Sequence, residues 1–231
     1  MNTARIIAVT QPTIRTDDPS DKSGKLLTVD EFIAYVARVS NPSNQSNTLT
    51  ATKLLRYLAK HKHWSPFEMV NVVMEINTTR DIARQILRHR SFSFQEFSQR
   101  YADPTKDLGF VTREARLQDQ KNRQNSVETD DENLVKDWEW LQIALQNKAN
   151  EAYSWAIRNG IAKEQARAVL PEGLTVSRMY MNGTLRSWIH YCQLRMGPET
   201  QKEHREVARD AWYQITEQFP SLKDCLDLGE K

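Results

Sequence analysis

The sequence predicts a single α+β domain, and three observations carry that expectation. Short β-branched apolar runs are interspersed with amphipathic helical periods. No internal repeat or second linker divides the chain. A hydrophobic fraction of 39% against 27% charged residues, over 231 positions, is the balance of a globular chain able to bury a core.

Taken in order, Ile6 to Val9 reads as a short opening strand, followed by a polar loop over Asp17 to Lys25. Thr28 is placed to cap a helix over Val29 to Val39, where Phe32, Ile33, Val36 and Val39 recur at helical spacing. Asn41 to Asn47 is a turn-rich break, and Leu49 to Lys60 a second helix with Leu54, Leu55 and Leu58 on one side. The run Phe67 to Ile76 predicts a strand. Thr78 or Thr79 caps the next helix, which carries Ile82, Ala83, Ile86 and Leu87 and runs out near His89. Asp103 to Asp131 is polar and charged and reads mostly as a long mobile excursion. Thr129 and Glu132 have capping-box spacing and would open a long helix through Trp138, Leu141, Leu145, Ala152 and Trp155, ending near Gly160. A short helix over Ile161 to Val169 is stopped by Pro171. Leu174 to Met181 predicts a strand, and Leu185 to Leu194 and Thr200 to Phe219 the closing helices.

Composition excludes several functional classes. A net charge of +2 gives no bulk attraction to nucleic acid, so anion binding must come from local clusters. Met1 to Pro12 lacks the basic-then-apolar pattern of a signal peptide, and no run approaches the roughly 20 apolar residues that span a bilayer. Cys192 and Cys225 build no disulfide framework, and no Cys/His metal spacing exists; a reduced, cytoplasmic protein is expected. The seven glycines are scattered, with neither GxGxxG nor a P-loop. Any nucleotide or dinucleotide must then be held by side chains.

Those side chains concentrate in Arg84 to Tyr101, RQILRHRSFSFQEFSQRY. On a helix Arg84, Gln85 and Arg88 share one face, while Ile82, Ala83, Ile86 and Leu87 take the core face. Arg88, Arg90 and Arg100 fall within thirteen residues, with Glu96 and Ser98 among them. A guanidinium fork suits phosphate, and Gln or Glu can read a base or sugar edge. The plainer alternative is that basic residues at a helix C-terminus complement its dipole.

Arg88-His89-Arg90, seven residues, then Ser98 resembles the signature of the flavin-dependent thymidylate synthases. Three further blocks are similar in the same order: Ala37-Arg38-Val39-Ser40, His63-Trp64-Ser65-Pro66-Phe67-Glu68, and Glu164-Gln165-Ala166-Arg167 with Val169-Leu170-Pro171. Arg186 through Arg195 to Gln201 and Glu203 continues the likeness, leaving the Asp103 to Asn159 region loosely fixed. The resemblance implies a mainly antiparallel sheet flanked by long helices, assembled as a homotetramer with active sites shared between subunits. It implies reductive methylation of dUMP to dTMP, with FAD as cofactor and NADPH and methylenetetrahydrofolate as co-substrates.

The same resemblance assigns positions. Ser40, Ser65, Glu68, Arg88, His89 and Arg90 fall at FAD-contacting positions, as do Thr184, Arg186 and His190, with His63 close to the flavin. Gln85, Glu96, Ser98, Arg100, Arg167 and Arg195 fall at dUMP-binding positions; Arg88 and Glu96 lie where both ligands meet. Arg195 is the expected catalytic group, because carbon 5 of uracil must gain electron density before attacking a one-carbon unit, and an arginine can stabilise that charge. Ser98 is expected to bind substrate, since no base is demonstrably set against it. Three positions depart from the family pattern. Met69 stands where a second histidine is usual, Thr184 where an asparagine is usual with Asn182 as a possible stand-in, and Glu199 where a histidine is common. The rival readings are an RNA- or nucleotide-binding module, with Phe92, Phe94, Phe97 and Tyr101 stacking bases, and a flavoprotein without methyl transfer.

Overall fold

In the computed structural model, which describes residues 2–15, 24–223, 225 and 226, the sheet is antiparallel throughout. Of the polar loop expected over Asp17 to Lys25, residues 17–23 lie outside the described set. The four strands are β1 (Thr3–Val9), β2 (Asn71–Thr79), β3 (Ser93–Glu96) and β6 (Val176–Thr184), in the order β1-β2-β6-β3. β2 and β6 pair along their full length, from Asn71 opposite Thr184 to Thr79 opposite Val176. Strand alternation turns Val72, Met74 and Ile76 of β2, with Met179 and Met181 of β6, into the core. The opposite face is polar: Arg178 Nε donates to Asn77 at 2.9 Å, and the Tyr180 hydroxyl to Glu75 at 3.4 Å.

Helices α1 (Val29–Ala37), α2 (Ala51–Lys60), α3 (Arg80–Ile86), α7 (Leu185–Arg195) and α8 (Lys202–Gln218) complete the main core. α8 lies on β1 and against α3 and α7, and α1 packs on α2. Ile33, Leu55, Phe67, Ile82, Ile86, Trp188 and Ile215 are all fully buried in that core. Trp188 buries its indole at no polar cost, because its N–H donates to the Val72 carbonyl at 3.0 Å. Thr28 caps α1 as the sequence predicts, with Glu31 completing the capping box.

Three elements differ from expectation. The run Phe67 to Ile76 is divided: Pro66 favours a first helical turn, so Ser65–Met69 is a 3-10 turn and the strand begins at Asn71. It then continues to Thr79 because β6 offers ladder partners that far. β3 was not expected, since four residues at a sheet edge carry too short a pattern to recognise. The cap of α5 (Glu132–Arg158) is Asp131 rather than Thr129; its carboxylate accepts the Asn133 and Leu134 amides at 3.0 Å each.

The region expected as a polar excursion is threaded with short elements. Asp103 caps α4 (Pro104–Asp107), and β4 (Arg116–Gln118) pairs with β5 (Ser126–Glu128). Arg113 ties the segment down, bonding Asp81 at 2.6 Å and the Gly173 carbonyl at 3.1 Å. α5 buries only Gln142, Ala149, Tyr153 and Ala156; Trp138, Trp140, Leu141, Leu145 and Trp155 stay exposed. A short helix α6 (Lys163–Ala166) precedes β6. Among the described residues no helix is long and apolar enough to cross a membrane.

One glycine sets a close approach. A Cβ on Gly183 would lie 2.3 Å from the Phe92 ring, so the ring rests on bare β6 backbone. Gly183→Ala is expected to cost about 1–3 kcal/mol in urea unfolding, as overpacking does. Adding Phe92→Ala should relieve the clash, making the double variant's loss smaller than the sum of the two single losses.

Candidate functional site

α3 is helical for the reason its sequence gives: Ile82, Ala83 and Ile86 enter the core, which leaves Arg84 exposed and Gln85 half-buried. The chain turns after Leu87, exposing Arg88 and Arg90 on either side of a half-buried His89. The His89 ring meets Tyr191 edge-on at 5.0 Å between centroids. Its Nε2 accepts a hydrogen bond from Arg195 Nε at 2.9 Å. Burial, then the adjacent Arg195 charge, lowers its pKa to about 4, so the ring is neutral and able to accept.

Gln85 faces the same interior. Its Oε1 lies 3.3 Å from His204 Nδ1, and its Nε2 donates to Gln201 Oε1 at 2.8 Å. His204 is fully buried, and its Nε2 lies 3.1 Å from the Tyr191 hydroxyl. Burial first, then Arg195 and His89, lowers the His204 pKa to about 3. Gln85 and Arg195, expected at the nucleotide, and His89, expected at the flavin, therefore fall in one group.

A second group surrounds Glu96. Its carboxylate accepts from the Ser177 hydroxyl at 2.7 Å and pairs with Arg80 at 3.2 Å, with Arg84 at 3.9 Å. A cavity of about 270 Å³ beside it is lined by Arg80, Arg84, Gln99, Arg167, Leu170 and Glu172. Two buried nitrogens of lining residues, Arg80 Nε and Gln99 Nε2, have no hydrogen-bond partner, the Glu172 carboxylate lying 4.0 Å from Arg80 Nε. Arg100 is drawn to Glu164 at 3.2 Å. Ser98 Oγ accepts the Arg100 amide at 3.4 Å; among the described residues no imidazole or carboxylate bonds it.

The third group is at the other end of β6. Arg186 forms an ion pair with Glu68, and Trp64 meets His190 edge-on at 5.3 Å. Burial, then Arg186, lowers the His190 pKa. Thr184 caps α7, accepting the Ser187 amide at 3.2 Å. Asn182 is exposed two residues earlier, on the same strand face. Ser65 opens the 3-10 turn that carries Glu68, and Met69 is half-exposed there. Ser40, His63 and Glu199 are exposed. Among the described residues no hydrogen bond, ion pair or ring contact joins Ser40 or His63 to the three groups; His63 packs with His61 and Tyr57. Among those residues, too, no cluster of three or more His, Cys, Asp or Glu is placed to hold a metal.

Arg80, Gln99, Tyr191 and His204 were not singled out from the sequence, and Gln201 was named there only as part of the family likeness. Arg80 had a usable signal, lying one helical turn before Arg84 on the same face. Tyr191 and His204 had none, since they meet only when α7 folds against α8.

The two depressed histidines make stability pH-dependent. Unfolded, both titrate near 6.5; folded, they stay neutral to about pH 4 and about pH 3. The unfolded state binds the extra protons, so this contribution is whole above about pH 6.5 and is lost as pH falls through the folded values. Denaturation midpoints should fall between pH 7 and pH 5, with a limiting slope of about 1.4 kcal/mol per pH unit for each histidine. In His204→Asn, which has nothing to titrate at that position, about half of this dependence should disappear.

Residues 25–221 match the Thy1 family model, described as thymidylate synthase complementing protein. A flavin-dependent thymidylate synthase of Synechocystis sp. is 48% identical over 223 residues, covering 96% of this chain and 98% of its own. A probable flavin-dependent thymidylate synthase of Paramecium bursaria Chlorella virus 1 is 45% identical over 224 residues, covering 97% and 98%. Among solved structures, a UMP/dUMP methylase from Streptomyces cacaoi, bound with 5-Br UMP, shares the fold with a TM-score of 0.76. It is 24% identical, covering 97% of this chain and 93% of its own. A family model spanning most of the chain and near-full-length relatives agree with the motif order and the antiparallel fold: the chain belongs to the flavin-dependent thymidylate synthase family.

Proposed function

We propose that this chain converts dUMP to dTMP by reductive methylation, with methylenetetrahydrofolate as carbon donor and NADPH-reduced FAD as hydride source. The observation that carries the reading within the site is the state of Arg195. Its Nε is committed to the neutral His89 ring, which orients the guanidinium and leaves both terminal Nη groups for a ligand.

The residues present fit both ligands. Arg88 and Arg90 are exposed and, among the described residues, their side chains form no hydrogen bond or ion pair, leaving two guanidinium groups for a diphosphate. With Ser40, His63, Ser65, Glu68, His89, Glu96, Asn182, Thr184, Arg186 and His190, they would hold FAD. Gln85, Arg88, Glu96, Ser98, Arg100, Arg167 and Arg195 would hold dUMP, with the unsatisfied Arg80 and Gln99 nitrogens adding donors beside them. FAD bound there and reduced would supply the hydride that turns the transferred methylene into methyl. Arg195 hydrogen-bonds the pyrimidine and stabilises the negative charge that builds on it before carbon 5 attacks. His89, held neutral, keeps that guanidinium in place without competing for the anionic ligand.

The proposed assembly is a homotetramer with shared sites. Ser177, beside Glu96, and Thr184, at the flavin-side group, are seven residues apart on one strand, about 24 Å at strand rise. Groups so spaced suit one extended cofactor and substrates reached from more than one subunit. The exposed aromatic and aliphatic face of α5 is the surface such an assembly would cover. The rival RNA-binding reading loses a key residue, since Phe92 packs inward on Trp188 at 4.9 Å and is withdrawn from base stacking.

Anaerobic mixing of the FAD-loaded protein with NADPH, dUMP and methylenetetrahydrofolate should show flavin reduction, then reoxidation with dTMP formed only when both substrates are present. FAD that never binds, or that cycles without dTMP, would overturn the reading. Arg195→Ala should lower turnover by about 10²–10³-fold while flavin stays bound. Sedimentation should give four times the chain mass, and a Trp140→Glu, Leu145→Glu double variant should give smaller species.

A further inference from the structure

The contacts of Gln85 form a chain whose hydrogen-bond directions are all set from one end. Glu203 is held between Arg116 at 2.6 Å and Arg113 at 3.2 Å, so it is an ionised carboxylate that can only accept. Gln201 must therefore present its amide N–H to Glu203, which it does at 2.9 Å. That turns the Gln201 carbonyl towards Gln85, which must answer with an N–H of its own, at 2.8 Å. The Gln85 carbonyl is then directed at His204 Nδ1, 3.3 Å away, so His204 carries its proton on Nδ1. Its Nε2 is left bare and accepts the Tyr191 hydroxyl at 3.1 Å.

The consequence falls on Gln85. A free glutamine amide offers two donors and an acceptor and can turn over to suit either kind of ligand. Here the carbonyl and one N–H are occupied inside the protein, and a single N–H remains. We infer that His204, backed by Tyr191, is a positioning residue: Gln201 sets which way the Gln85 amide faces, and His204 holds it there, so that it can only donate to an acceptor oxygen of the bound nucleotide. The fit is chemical: the phosphate and the uracil carbonyls of dUMP are acceptors, and an amide turned the other way would set oxygen against oxygen. His204 and Tyr191 are buried and need not touch the ligand to do this. The inference rests on the proposed role of Gln85 in nucleotide binding and adds to it the group that orients the side chain.

The test uses FAD-loaded, full-length protein, with dUMP affinity measured by calorimetry and KM and kcat by turnover. His204→Leu should raise the Kd and KM for dUMP about tenfold, or ~1.4 kcal/mol, with kcat at saturation and FAD content near wild type. His204→Asn places an N–H close to the Nδ1 position and should restore affinity to within about twofold. In a Gln85→Ala background, His204→Leu should cost nothing further, because it acts through Gln85. Should His204→Leu not fold, Tyr191→Phe replaces it in the same cycle, with an expected loss of about threefold that also vanishes in the Gln85→Ala background. Penalties that add fully to that of Gln85→Ala would overturn the inference, as would wild-type affinity in the variant used. If the wild type binds no dUMP, or Gln85→Ala binds it unimpaired, the underlying reading of Gln85 fails instead. Impaired Gln85→Ala with an unimpaired His204 or Tyr191 variant sinks only the positioning role.

Discussion

The ladder between β2 and β6 is the constraint from which the site geometry follows. Nine consecutive residue pairs fix the register from Asn71–Thr184 to Thr79–Val176. Each strand passes directly into a helix: β2 into α3 at Arg80, and β6 into α7 at Leu185. Because the strands are antiparallel, those helices start at opposite ends of the ladder and return over it. The segment after α3 thereby meets the second half of α7, bringing His89 to Tyr191 and Arg195 across more than a hundred residues of sequence. No loop intervenes at either junction, so little slack separates sheet register from the placement of ligand-facing side chains.

The electrostatic arrangement has a corresponding economy. Burial first, and then the neighbouring cationic charge, keeps the histidines at this site neutral. His89 accepts from Arg195, and His204 lies between Gln85 and Tyr191, without either adding to the positive charge. Carboxylates supply the counterweight at the periphery: Glu96 beside Arg80, Glu68 beside Arg186, and Glu203 between Arg113 and Arg116. The charges of Glu96 with Arg80 and of Glu203 with its two arginines are nearly buried, and such charges persist only when paired and hydrogen-bonded. Arg88 and Arg90, whose side chains form no ion pair among the described residues, are exposed.

Much of this was legible in the sequence where the signal was local. The core face of α3, the Thr28 cap and the segments destined for β2 and β6 follow from periodicity and capping chemistry. What was missed depends on tertiary partners. β3 exists because β6 offers an edge to its four residues. Asp131 displaced Thr129 as a cap through a choice between two competent residues only two positions apart. The region after Asp103 looked featureless because its anchors are single side chains, Arg113 and Arg116, whose partners lie on α3 and α8. Tyr191 and His204 read as ordinary helix residues until α7 and α8 are placed side by side.

Gly183 carries a consequence of a different kind. The Phe92 ring rests where a side chain would otherwise begin, and the turn bearing Arg88, His89 and Arg90 is separated from that phenylalanine by Ser91 alone. A slip of one residue in the β6 ladder would bring Asn182 or Thr184 beneath the ring, and either Cβ would push the turn away. It would also move the inward-facing set of β6 to the other side of the sheet. The single absent methyl group thus acts as a proofreading device for the fold: only the correct strand alignment lets the arginine-bearing turn close.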